Sequence, residues 1–318
     1  MRRPILFVVI VLTFLVYSGL IGLWPARIML AQVNIRHQPL DPFEVQYYSR
    51  ARSVISWSRA ELIHAIPELK RLRPVASQAV LPAILQNVGN NVSEFLRDFP
   101  NTTSTEKVLQ QVFDRAGRVS QSQFRTFHYL ILARHGAGVE GLEEYRTDNR
   151  GNRITEQSLE GPFILTKGFA TDAIFFDKAC QPASRFRYLG QQVIHHQHTD
   201  VVAFAQNPTA EWEVEQARIG QESAEVLVQG VAWIDSQSYQ IVRLRTELLA
   251  PPPGLDLEKQ TTEIEFGPVR FKSAAEMLWL PRQVTVTVEL SGRRYRNSSS
   301  YSKYELFKVN TKLDLHPQ

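Results

Sequence analysis

The sequence predicts an α+β fold, mainly antiparallel β, with helices gathered at the N-terminal end and one sheet system built from most of the remainder. Three observations predict it. Apolar residues follow a helical period between Asp41 and Phe99. From about Glu106 the period becomes two and stays two to the end. Successive strands are joined by short turns, which make antiparallel hairpins rather than parallel units with crossover helices.

The clearest helix carries Leu81, Ile84, Leu85, Val88, Val92, Phe95 and Leu96 on one stripe. Pro82 suits its first turn, and Pro100-Asn101 marks its end. An earlier helix is expected over residues 42–59, and a second short one within residues 60–72, interrupted at Pro67. Stripes of this kind face a core, so no second membrane element is read here.

In the second region Val284, Val286, Val288 and Leu290 alternate with Thr285, Thr287 and Glu289, the pattern of a strand with one buried face. Further strands are expected at residues 127–133, 141–147, 163–167, 185–193, 201–206, 224–234, 240–249, 261–271 and 301–309. Turn chemistry stands between them at Asp148-Asn149-Arg150-Gly151-Asn152, Asp235-Ser236-Gln237-Ser238 and Ser291-Gly292. Residues 106–113 could be helical, because Thr103 and Glu106 have capping-box spacing. A strand is the better reading, since residues 114–117 then turn a hairpin into residues 119–133. Pro251, Pro252 and Pro253 cannot donate to a ladder and read as a stiff excursion within one sheet system.

Ahead of both regions Arg2 and Arg3 precede an uncharged run from Ile5 to Trp24, the form of a secretory signal or signal-anchor. The run is long enough to span a bilayer, though Thr13, Tyr17, Ser18, Gly19 and Gly22 dilute its second half. Cleavage fits best after Ala31, with Met29 at the position that favours a small residue. A cleaved signal and a retained anchor both remain open. Without a cysteine near the run, a lipid-modified N-terminus is excluded. The chain thus divides into a leader over 1–31, a helical region over 32–105 and a sheet domain over 106–318, placed outside the cytoplasm. If uncleaved, residues 5–24 would tether it to the membrane.

The sequence pI of about 9.2 invites a nucleic-acid reading, but the leader supplies most of it. Arg2, Arg3 and Arg27 face no acidic residue in 1–31, leaving 33 basic against 32 acidic side chains afterwards. A nearly neutral chain lacks the footprint that phosphate backbones need. Cys180 is the one cysteine, so an intramolecular disulfide and cysteine metal sites are excluded, and no catalytic signature surrounds it.

Candidate chemistry is sparse. His196, His198 and Asp200 would share one strand face, and with His195 they form the only concentration of metal-ligand types. They fall where one strand should turn into the next, which favours an exposed loop over a metal site. Arg243 with Arg245, Glu263 with Glu265, Arg185 with Arg187 and Arg294 with Arg296 are paired by alternation. Cross-strand ion pairs on the wet side of a sheet account for them better than a basic binding stripe. Gly136, Gly138 and Gly141 match the spacing of a dinucleotide loop, but residues 142–147 read as a strand where a helix should open. Glu143 and Glu144 point to opposite faces and cannot act as an acid/base pair, and Asp235 belongs to a turn. Asn91, Asn101 and Asn297 head short glycosylation-type patterns that are common by chance. No catalytic, cofactor or metal residues are assigned. A hydrolase assembled from dispersed residues such as His128, Asp200 and a serine is the alternative.

Residues 228–235 with Gln240 to Arg245, Leu278-Trp279-Leu280-Pro281, Val284 and Val286, Arg296-Asn297, Tyr301 to Tyr304, Arg97 to Thr103 and Glu144 to Asp148 carry a resemblance. The chain resembles a set of uncharacterised exported proteins of acidobacterial type. Over about 106–309 it is also similar to Lol-type lipoprotein carriers and periplasmic stress sensors. That resemblance implies a strongly curved sheet or half-barrel, with helices packed against it and an apolar lipid or acyl ligand on its concave side. It implies no ligand-binding residue by number. Two departures stand out: the helical region is longer than a lid requires, and His195 to His198 replace a glycine-containing turn. The expectation is an extracytoplasmic, non-enzymatic protein that binds an apolar ligand or an envelope partner, or a purely structural relative.

Overall fold

The computed structural model describes residues 28–32, 40–134, 141–155, 163–166, 169–170, 172–210, 215–219, 222–271 and 277–307. Strand β1, Ile28–Gln32, comes first. Helix α1, Pro42–Ser49, starts on a reciprocal box in which Asp41 accepts from Glu44 N and Glu44 from Asp41 N. Ser58 and Glu61 repeat the device at helix α2, Arg59–Ala65. Ser58 needs extended backbone for this (ψ 164°), so the helix expected over 42–59 stops at Ser49 and a new one begins. A 3-10 turn from Pro67 to Arg71 leads to strand β2, Arg73–Pro74. Helix α3, Leu81–Asp98, buries Ile84, Val88, Val92 and Leu96, the stripe read from the sequence.

The strands that follow are β3 Thr102–Phe113, β4 Val119–Arg134, β5 Gly141–Thr147, β6 Leu165–Thr166, β7 Ser184–Ile194 and β8 Gln197–Gln206. After them come β9 Glu215–Ile219, β10 Glu222–Val226, β11 Val228–Asp235, β12 Ile241–Leu248, β13 Leu257–Arg270, β14 Met277–Leu290 and β15 Arg293–Leu306. Residues 106–113 are strand, as the hairpin argument required. Eleven strands form one sheet in the order β2-β7-β8-β11-β12-β13-β14-β15-β3-β4-β5, every pair antiparallel. A small sheet has the order β10-β9-β1-β6.

Two expected strands are corrected. The one over 224–234 breaks at Leu227 into β10 and β11, which belong to different sheets. Leu227 is buried with Leu40, Tyr48 and Leu249, and its carbonyl accepts from Leu249 N, so it ends the β11–β12 ladder where β10 departs. Of the strand over 163–167, residues 163 and 164 are not strand, Leu165–Thr166 form β6 and run parallel to β1, and residue 167 lies outside the described residues.

The sheet is buried on two sides around β8 and β11. Val201, Ala203, Val231, Trp233 and Val242 lie under Val54, Leu62, Ile66, Leu69 and Leu72 of the N-terminal region. The alternate residues Val202, Phe204, Ala232, Ile234 and Leu244 lie under α3. This explains why β8 and β11 read as nearly continuous apolar runs.

The sheet is open and strongly curved. Leu142 on β5 packs against the same cluster as Leu244 on β12, six strand steps away. In a flat sheet six steps span about 29 Å, and one helix is only about 10–12 Å wide. Curling brings β5 and β12 onto the same α3 cluster. Among the described residues no helix is long and apolar enough to cross a membrane, and residues 1–27 of the expected leader lie outside them.

Candidate functional site

On the concave face, the β13–β14 side is apolar: Ile264, Val284, Val286, Val288 and Leu290 point into one core. Across β15, β3, β4 and β5 the same inward phase carries polar residues instead. Glu106, Gln110, Glu144, Arg146 and Asn297 are all buried there. The alternation that puts Val108 and Val112 inside puts Glu106 and Gln110 inside as well.

These residues satisfy one another and grip a strap of the chain, described at residues 163–166 and 169–170. Arg146 donates through Nε and Nη2 to Glu106, and through Nη1 to the Thr166 carbonyl. Tyr301 Oη donates to Glu106 at 2.9 Å, and Tyr129 Oη donates to Glu144. Glu144 also accepts from Phe169 N at 3.0 Å and Ala170 N at 2.9 Å. Gln110 Nε2 and Asn297 Nδ2 donate to the Ile164 carbonyl at 2.9 and 3.1 Å. The Arg146 guanidinium also lies over the Tyr129 and Phe169 rings, 5.4 and 5.7 Å from their centroids.

Burial, reinforced by the Glu144 charge, pushes the Tyr129 hydroxyl well above its usual range. Burial and Glu106 do the same to Tyr301. Burial pulls Arg146 down, but the charge and hydrogen bonds of Glu106 outweigh it and the net shift is upward. A fixed cation with neutral phenols suits holding main-chain carbonyls and amides.

The sequence-derived candidates lie elsewhere. His195 and His196 form the two-residue β7–β8 turn, both with positive φ (48° and 65°), where a glycine-rich pair is usual. His198 is exposed on β8, and Asp200 is buried and accepts from Tyr188 Oη at 2.8 Å. No cluster of three metal-ligand types occurs among the described residues. His128 is exposed on the outer phase of β4, next to the inward Tyr129, whereas Asp200 is buried in the inward phase of β8 with Val202, so the dispersed hydrolase pair is not brought together. Gly136 and Gly138 lie outside the described residues, while Gly141 opens β5, a strand where a dinucleotide loop needs a helix. Asp235 caps the turn into β12 by accepting from Ser238 N and Oγ. Cys180 is packed beside the α3 cluster and forms no disulfide.

The arginine pairs are partly corrected. Arg245 pairs with Glu263, and Arg294 pairs with Glu289 at 3.0 Å, as cross-strand ion pairs should. But Arg243 and Arg245 are not on a wet face. They are 18 % and 12 % exposed, and Arg243 reaches Glu68 at 3.3 Å while lying over Trp233. The 3-10 turn carrying Glu68 covers Arg243, and Arg245 is enclosed between Glu247 and Glu263. Arg187 donates to the carbonyls of Ile55 and Trp57, whereas Arg185 is exposed and Arg296 stacks over Phe113.

No family model matches the chain. No curated protein matches it either. Among solved structures, it is similar to an outer membrane lipoprotein-sorting protein domain from Vibrio parahaemolyticus. That likeness has 10% identity and a TM-score of 0.36 over 72% of this chain and 95% of that one. A DUF1329 family protein from Desulfovibrio piger gives 8% identity, TM-score 0.36, and 71% and 92% coverage. The Mycobacterium tuberculosis lipoprotein LppX gives 10%, 0.24, and 73% and 99%.

Glu106, Arg146, Gln110 and Asn297 were not singled out as site residues by sequence reasoning. The signal was weak: they share the inward phase with Val108 and Val112 on β3, Tyr295 and Tyr301 on β15 and Leu142 on β5, but other polar residues such as Thr102, Ser104 and Ser299 stand in the same phase.

Proposed function

We propose that this is an extracytoplasmic, non-enzymatic protein that binds an apolar ligand, a lipid or acyl chain, on the concave face of its curved sheet. One observation carries the reading. The apolar half of that face is covered by short, separate pieces of chain, with Ile164, Phe169, Ala217 and Val226 in one cluster with Val284, Val286 and Val288. Where these pieces leave, they uncover a continuous aliphatic wall. The resemblance of residues 228–235 and 278–286 to exported acidobacterial-type proteins with carrier-like sheets supports the same compartment and ligand class.

Lipid retention tests it. Protein extracted from the envelope without detergent should release a stoichiometric acyl lipid detectable by mass spectrometry. Absence of lipid, together with no uptake of a fluorescent fatty acid, would reject the reading.

The occupied concave face favours a second reading, a structural envelope protein whose sheet stays closed over its own segments. Unchanged exchange protection of residues 163–170 in the presence of lipid would support it.

The chain is proposed not to be cut after Ala31. Strand β1 joins β6 to β9, pairing Met29 with Leu165 and Arg218. A cut after Ala31 would remove all but Gln32 of that strand. N-terminal sequencing of the mature protein should therefore find no new terminus at Gln32; finding one there would dismiss the tether.

A further inference from the structure

A cavity of about 350 Å³ opens at the β4–β5 end of the concave side, lined by Arg125, Phe127, Asp148, Asn152, Arg153 and Ile154. Its back wall is apolar, because Phe127 and Ile154 form a buried cluster with Val108. Its polar groups are unequal. Asp148 is consumed by its own turn, accepting from Arg150 N and Asn152 N at 2.8 Å and from Asn152 Nδ2 at 2.9 Å. Those hydrogen bonds, led by that from the Asn152 side chain, hold its carboxyl below the usual range.

The two arginines are positioned but not used up. Arg125 is half-buried and donates through Nε to Gln123 Oε1 at 3.3 Å, which orients the guanidinium and leaves both Nη groups without a partner among the described residues. Arg153 sits over Tyr145, 4.2 Å from the ring centroid, a contact through the ring face that consumes none of its N–H donors. Two forks with spare donors beside an apolar wall match a planar or tetrahedral oxyanion carried on a hydrocarbon.

We propose that this cavity is an oxyanion site for the phosphate- or carboxylate-type head of an amphiphile, a step that rests on the apolar-ligand reading above. The site is also wired to the strap. Gln123, which orients Arg125, donates through Nε2 to Gln110 Oε1 at 2.9 Å, and Gln110 in turn holds the Ile164 carbonyl. Drawing Arg125 toward an anion therefore pulls on a chain of hydrogen bonds that ends at the strap.

Calorimetric titration of the full chain tests this, using inorganic phosphate, dodecyl phosphate and uncharged dodecyl maltoside, the amphiphiles below their micelle-forming concentrations. Dodecyl phosphate should bind about tenfold tighter than the maltoside. The double variant Arg125→Gln/Arg153→Gln should lose that advantage and keep its maltoside affinity, while Arg118→Gln, on the β3–β4 turn, should change neither. Circular dichroism verifies that the variants are folded. Equal dodecyl phosphate affinity in wild type and double variant overturns the oxyanion site and leaves the apolar-ligand reading standing. Arginine-dependent binding of inorganic phosphate with no binding of either amphiphile keeps the site, for a free oxyanion, and removes the apolar reading. Silence with all three probes rejects both.

Discussion

Arg146 meets Glu106 fork to fork beneath the strap, with the two side chains 4 % and 0 % exposed. A pair this deep has given up its water, so its partners matter more than its own attraction. Glu106→Gln should lower the unfolding free energy by about 3–5 kcal/mol, because Arg146 would be left as an uncompensated buried charge. The double replacement Glu106→Leu/Arg146→Met should recover most of that loss. Urea unfolding of the three proteins measures it, and a double variant as unstable as the single one would contradict the account.

Glu144 is the acceptor for three donors, the Tyr129 hydroxyl and the amides of Phe169 and Ala170. Glu144→Gln turns one of its oxygens into a donor that faces an amide. The strap should then exchange its amide hydrogens faster, with a stability loss of about 1.5–3 kcal/mol. Hydrogen exchange read peptide by peptide should localise the change to residues 163–170 and leave α3 protected. An even change across the protein would mean that the strap is not a separate unit.

Arg245 stands between Glu263 and Glu247. Burial already raises the Glu247 carboxyl above its usual value of 4.5, with Arg245 opposing the shift. A raised folded-state value means stability present below about pH 4.5 and lost as pH rises. Arg245→Ala removes the opposing charge, so it should cost about 2 kcal/mol near neutral pH and less near pH 4. A loss independent of pH would point to packing alone.

Tyr48, Tyr129, Tyr188, Tyr301 and Tyr304 are all shifted above the ordinary phenol value of 10.0, burial being the first cause in each. Between 10 and the folded values the native state binds more protons than the unfolded chain, so stability must fall as pH rises past 10. A spectrophotometric titration should show part of the tyrosines ionising early and the buried group only with unfolding. One smooth transition for all of them would contradict these burials.

Local pattern was enough for much of the fold. The α3 stripe, the hairpin at residues 114–117 and the alternation of β14 are all written in neighbouring residues, because helix and strand periods are properties of short stretches. Alternation put Arg245 and Glu263 each on one face of its strand, and the pairing of β12 with β13 set them opposite one another. What the sequence could not decide is which distant segments share a core. Pairing β15 with β3 brings Tyr301 to Glu106, 195 residues apart, and only that closure converts scattered inward polar residues into one network. The same holds for Leu227, whose burial by Leu40, Tyr48 and Leu249 splits an apparently continuous strand, and for Arg243, placed by alternation on a wet face until the turn carrying Glu68 folded over it. Periodicity determined the two faces of each strand; the curl of the sheet and the segments lying across it decided which face meets water, because burial depends on contacts between parts far apart in the chain.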